Sequence, residues 1–249
     1  MKLLRSIALV SAMPTLVNGF SFSEIAGEAS PSNARIDTTD LTSDEESRIF
    51  GGSSADISKY SYIAKLIAGD MEDAPLCAGA LIAPQYVLTS VYCLGWFQLD
   101  MHVSLGGQKN KDQGSQKSER IRAVEAFRHP MYNSTWYTYD VALIKLEKPS
   151  THKPVRLTGA DGSDAKVGTM ASVFGWGSGD NGAPLISNGV VVGIASTLPG
   201  EANDCGELPD MYTRVSHVLD YINDVVNGGS TGNVTDSPPS NEYTAELSQ

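Results

Sequence analysis

Residues 76–93 read Leu76-Cys77-Ala78-Gly79-Ala80-Leu81-Ile82-Ala83-Pro84-Gln85-Tyr86-Val87-Leu88-Thr89-Ser90-Val91-Tyr92-Cys93. Two short apolar runs, 80–82 and 86–89, lie either side of a proline. Each is too short for a helix and has the length of a strand. Similar runs recur along the chain at 62–67, 101–105, 120–127, 141–146, 170–174 and 190–195, punctuated by Gly, Pro, Asn and Asp. Short β-rich runs at this spacing predict an antiparallel sandwich or barrel. A single helical pattern follows: Val215, Val218, Leu219, Ile222, Val225 and Val226 recur on one face, and Asn227-Gly228 supplies a stop. The expected class is all-β with a C-terminal helix.

The flanks differ from this middle. Lys2 and Arg5 precede an apolar stretch from Ile7 to Val17, and Val17-Asn18-Gly19 gives a cleavage context, so residues 1–19 read as a signal peptide. Residues 20–48 carry seven acids and two bases with little apolar content, which reads as an acidic pro-segment. Residues 228–249, with three acids and no base, read as a disordered tail. The net charge of −11 therefore sits mostly outside residues 49–227, which hold −5. No basic face for nucleic acid is present, and an acidic surface repels phosphates and anionic lipid. No segment has the length to span a bilayer. Secretion is the expected destination. Two sequons, at Asn133 and Asn233, agree with it and mark candidate glycosylation sites.

Six blocks, in order, resemble the trypsin-like serine proteases: Arg48-Ile49-Phe50-Gly51-Gly52; Cys77-Ala78-Gly79-Ala80-Leu81-Ile82 with Val87-Leu88-Thr89-Ser90-Val91-Tyr92-Cys93; Tyr139-Asp140-Val141-Ala142-Leu143-Ile144-Lys145-Leu146; Phe174-Gly175-Trp176-Gly177; Gly179-Asp180-Asn181-Gly182-Ala183-Pro184-Leu185; and Tyr212-Thr213-Arg214-Val215-Ser216. The resemblance implies two antiparallel Greek-key β-barrels with a closing helix over residues 49–227. The first barrel would cover about 49–150 and the second about 155–227. It also implies a Cys77–Cys93 disulfide. Cys205 would be odd, either free or joined to another molecule, because its family partner falls in a stretch this chain lacks. Only Ser178 separates Gly177 from Gly179, where the family carries two strands and the floor of the specificity pocket. A reduced second barrel and a sequence that has lost an exon would both give this junction.

In that family the chemistry needs a nucleophilic hydroxyl, an imidazole that takes its proton, and a carboxylate that orients the imidazole. Tyr92 stands at the base position. A phenol titrates near pH ~10 and holds its proton at neutral pH. Asn181 stands at the nucleophile position, and a carboxamide is not a useful nucleophile. Asp140 alone survives. The four histidines, His102, His129, His152 and His217, fall outside the matching block and read as surface or loop residues. The pocket wall, Ser-Trp-Gly in the family, is Ser196-Thr197-Leu198 here. Asp180 and Ile49 match the pair that family members form after cleavage of an Arg48–Ile49-type bond.

These departures predict a protein that binds rather than cuts. Among protease homologues lacking the triad, the 76–89 stretch and Tyr92 are similar to the secreted glucanase inhibitor proteins of oomycete plant pathogens. That resemblance implies binding of host endo-β-1,3-glucanases outside the cell. An active endopeptidase and a non-inhibitory binding protein on the same scaffold are the alternatives, and no aromatic cluster points to a glycan-recognising role. No cofactor or metal motif is present; Asp161-Gly162-Ser163-Asp164 is a short acidic turn.

Overall fold

The 76–93 stretch folds into strands β2 (Cys77–Ala83) and β3 (Tyr86–Thr89), paired antiparallel across the turn at Pro84. The computed structural model describes residues 55–69, 77–97, 100–107, 118–176, 180–196 and 210–236. The signal, the acidic segment and the Arg48–Ile49 junction lie outside the described residues.

With β1 (Ile63–Ala68), β4 (Met101–Leu105), β5 (Glu119–Arg128) and β6 (Ala142–Leu146), these strands close an antiparallel barrel in the order β1-β2-β3-β6-β5-β4. Its interior is filled by Leu66, Leu81, Val87, Met101, Val103, Leu105, Ile144 and Leu146. Successive side chains of a strand point to opposite faces. Ala80, Leu88 and Leu143, one step from Leu81, Val87 and Ile144, therefore face outward, yet they too are buried, in a second core. A strand buried on both faces reads as a continuous apolar run rather than an alternating one. That is why 80–82, 86–89 and 141–146 show no polar face in sequence. Alternation survives only where one face meets water, as in β5, where Ile121 and Ala123 are buried and Arg120 and Arg122 are not. The Cys77–Cys93 disulfide is formed. It ties the start of β2 to the 3-10 turn Val91–Trp96 that follows β3, a loop size worth about 3 kcal/mol in the chain-entropy treatment.

The second core is roofed by a smaller sheet. Strands β8 (Ser172–Val173), β9 (Pro184–Ser187), β10 (Val190–Ala195) and β11 (Tyr212–Arg214) lie in the order β11-β10-β9-β8, and β7 (Arg156–Leu157) pairs parallel with β10. Among the described residues this sheet does not close: β7, β8 and β11 each pair on one side only. A 3-10 turn, Val215–His217, leads into helix α1 (Leu219–Val226), which buries Tyr221, Ile222 and Val225 in the second core. The Tyr221 hydroxyl donates to the Phe127 carbonyl at 2.8 Å, fastening α1 to β5.

The expectation of a disordered tail from residue 228 needs correction for its first part. Residues 230–235 lie along β5: the Arg128 amide donates to the Gly232 carbonyl (2.8 Å), the Val234 amide to Ala126 (2.9 Å), and the Thr235 hydroxyl accepts from the Ala126 amide (3.0 Å). Gly232 adopts φ +73°, and a Cβ there would overlap the Arg128 carbonyl oxygen. Glycine is what lets the backbone approach so closely. Composition marked this stretch as polar, and backbone pairing of this kind leaves no apolar signature.

Candidate functional site

The described site residues converge where the barrel meets the second sheet. Asp140, just before β6, is fully buried. One carboxylate oxygen accepts the Val91 amide at 2.7 Å, and the other accepts the Ser196 hydroxyl at 2.7 Å. The Thr213 hydroxyl donates to the Asp140 carbonyl at 2.9 Å. Asp140 thus bridges the 3-10 turn after β3, the end of β10 and strand β11. Hydrogen bonds to an ionised buried group are each worth about 1.5–3 kcal/mol, so this carboxylate has a structural part to play with or without chemistry. Its charge is felt nearby: the Tyr132 phenol is pushed up to about 12, first by burial and then by Asp140.

Tyr92 follows Val91 in the same turn and packs, half-buried, against the barrel core. The Asn181 carbonyl accepts the Ala78 amide of β2 at 2.9 Å, and Gly182 and Ala183 exchange backbone hydrogen bonds with Ala195 of β10. Residues 181–183 therefore cross from the barrel to the second sheet. Asp180 accepts the Trp176 amide at 2.7 Å, and its carboxylate fills the space beside Gly175 where a Cβ would stand. Ile49 lies outside the described residues. Cys205 lies outside them too.

This constellation carries a family signature. Residues 49–181 match the family model described as Trypsin. The chain belongs to the trypsin family. Glucanase inhibitor protein 3 of Phytophthora infestans is 29% identical over an alignment covering 82% of this chain and 99% of the relative. Glucanase inhibitor protein 2 of the same organism is 30% identical, covering 72% and 90%. The first alignment runs over 266 positions while using only 82% of this chain, so the relative carries residues with no counterpart here. The solved structure of HBP shares the fold, with a TM-score of 0.63 at 21% identity over 73% of this chain and 98% of that one. The chain is thus a trypsin-like protease homologue resembling the glucanase inhibitor proteins.

Against that family frame, two sequence expectations change. His129 lies in the loop that follows β5, as expected, but is buried rather than at the surface, stacked on Tyr139 with ring centroids 4.6 Å apart and edge-on to Tyr221 at 4.8 Å. Its Nδ1 accepts the Met131 amide at 3.2 Å, which requires the neutral ring. Burial lowers its pKa below the ordinary histidine value. A lowered folded pKa means the unfolded chain binds the proton more readily, so this contribution is complete above the unfolded pKa of about 6.5 and is lost as pH falls towards the folded value. Chemical denaturation between pH 7.5 and 5 should show a falling midpoint, and His129→Phe should reduce that fall. An unchanged slope in the variant would remove His129 from the account.

The second change concerns aromatic residues. A cleft of about 320 Å³ opens beside Asp140, lined by Trp136, Tyr137, Tyr139, Ser196, Met211 and Tyr212 among others. No aromatic cluster is visible along the sequence, because its members come from two distant segments, 136–139 and 212. The one available signal was the run Trp136-Tyr137-Thr138-Tyr139 directly before Asp140. Among the described residues no group of three or more His, Cys, Asp and Glu is arranged to hold a metal, and no helix is long and apolar enough to cross a membrane.

Proposed function

We propose that this protein is a secreted, catalytically inactive trypsin homologue that binds and inhibits a host plant endo-β-1,3-glucanase, and so suppresses defence triggered by released glucan fragments. Likeness to proteins named glucanase inhibitors, reaching 99% of a relative's length, carries the reading. The site's chemistry supports it. Tyr92 takes the base position and Asn181 the nucleophile position, so neither an imidazole nor a hydroxyl is supplied there. The Asp140 carboxylate is bound by the Val91 amide and the Ser196 hydroxyl. What remains of the triad is a buried strut that holds loops in place. A protease scaffold shaped to hold a polypeptide, with turnover removed, becomes a stable binder. Asn133 and Asn233 are exposed and are the proposed glycan acceptors, and Asp180 with Ile49 is the proposed maturation pair.

The purified protein should form a complex with a plant endo-β-1,3-glucanase on size exclusion and should take no label from a serine-directed phosphonate. Restoring the triad with Tyr92→His and Asn181→Ser should still give no efficient peptide turnover, because the pocket floor is missing between Trp176 and Asp180. Robust turnover by that double variant would show that the pocket is intact after all, and a wild-type label that one serine substitution removes would contradict the inactive reading.

A further inference from the structure

The second sheet ends at β11, and the orientation of that edge follows from the register. The Ser196 amide donates to the Met211 carbonyl at 2.9 Å, and β10 and β11 pair in the sequence 193↔214, 194↔213 and 195↔212. In an antiparallel ladder, alternate residues of a strand direct both backbone groups towards the partner. Met211 and Thr213 therefore face β10. Tyr212 and Arg214 turn their N–H and C=O groups the other way, and among the described residues no strand pairs with them. An unpaired strand edge is a template for another extended chain.

The cleft lies beside β11 and has distinct ends. Trp136 is 67% exposed and Met211 37%, both high for such side chains in a folded domain. The loop that presents Trp136 is held in strain: Tyr137 and Tyr139 both adopt left-handed φ, +49° and +54°, each costing about 1–2 kcal/mol. The Asn133 side chain fixes this loop by accepting the amides of Thr135 and Trp136 at 3.0 and 3.1 Å. Arg214 and His217 stand at one end of the cleft and are exposed, on a chain whose net charge is −11. One guanidinium nitrogen donates to the Ala165 carbonyl at 3.0 Å, and the group has further donors to offer. Asp210, which precedes Met211 in the chain, is exposed.

We propose that this groove takes an extended segment of the bound protein as an added strand, paired with the backbone of Tyr212 and Arg214. Trp136 and Met211 grip its apolar side chains, and Arg214 with His217 receives an acidic one. The proposal deepens the binding reading above and rests on it for the identity of the partner. Backbone pairing supplies affinity and the flanking side chains supply selection, as in other strand-addition complexes.

Two arms keep the groove and the partner separable. In the first, a plant endo-β-1,3-glucanase is titrated with wild type, Trp136→Ala, Arg214→Glu and, as a distant control, Lys148→Ala. Both groove variants should weaken binding about thirty-fold, the size of a buried aromatic or arginine anchor, and the control should stay within about two-fold of wild type. If wild type and the groove variants bind equally, the groove proposal is overturned and the glucanase reading stands. In the second arm, an eight-residue peptide alternating valine and tyrosine is added, with either glutamate or lysine at one end, and amide exchange is followed by NMR. The glutamate peptide should protect the amides of Tyr212 and Arg214 in wild type, protect them less in Trp136→Ala, and bind better than the lysine peptide. Should the glucanase not bind wild type at all, this arm decides alone: protection of those two amides supports the groove, and its absence refutes it.

Discussion

Asp140→Ala is expected to destabilise the protein by about 3–5 kcal/mol, a large part of the 5–15 kcal/mol that holds a typical domain together. The substitution removes an acceptor from the buried Val91 amide and from the Ser196 hydroxyl at once. The amide is the more serious loss, because it cannot rotate to find another partner. Asp140→Asn should cost far less, about 1 kcal/mol. Its carbonyl oxygen can keep the Val91 amide, and its NH₂ can donate to Ser196, whose hydroxyl is free to turn and accept. Urea unfolding followed by fluorescence gives both values from the shift in midpoint. In a working protease, Asn at this position would preserve the fold and abolish the chemistry. Here it should preserve both fold and glucanase binding. Equal stability of Asp140→Ala and wild type would mean the carboxylate is not the strut described.

Gly182→Ala is the second large effect, expected at about 3–4 kcal/mol. Two penalties combine. Gly182 has φ +80°, where an alanine costs about 1–2 kcal/mol. The added Cβ would also overlap the Thr89 hydroxyl and the Ala78 carbonyl oxygen, and would approach the Ser90 amide to 3.0 Å. The Thr89 hydroxyl donates to that same Ala78 carbonyl at 2.7 Å, inside the junction of barrel and second sheet. Relieving the overlap must move backbone, which falls in the about 1–3 kcal/mol range of overpacked cores. Thermal unfolding should show the loss directly. A drop under about 1 kcal/mol would place the 181–183 crossing further from β2 than described.

The parts of the fold that were legible in the sequence share one property: burial on one or both faces over four or more residues. Strands β3 (Tyr86–Thr89), β4 (Met101–Leu105) and β10 (Val190–Ala195) follow their apolar runs residue for residue. The helix followed its periodicity but is shorter at its start, since Val215–His217 forms a 3-10 turn. What escaped was held by backbone pairing rather than side-chain burial. Strand β7 has two residues, and β11 is the polar triplet Tyr212-Thr213-Arg214. The same holds for residues 230–235 on β5. Of the run 170–174, only Ser172–Val173 forms a strand. At the site, the sequence singles out Asp140, which the structure places fully buried. Its partners are not legible there: one is a backbone amide, which has no residue identity, and the other, Ser196, is 56 positions away. The groove escaped because its aromatic walls meet only once β11 lies beside the 136–139 loop.

Inhibition without cleavage can be tested by one titration. A plant-secreted endo-β-1,3-glucanase at fixed concentration is mixed with increasing amounts of the full chain, and release of reducing sugar from a β-1,3-glucan is followed while the glucanase is monitored by mass spectrometry. Activity should fall in proportion to added protein and level off near equivalence, with the glucanase mass unchanged. Unaltered activity at many-fold excess would contradict the binding claim, and loss of activity accompanied by glucanase fragments would contradict the claim that the scaffold no longer cuts.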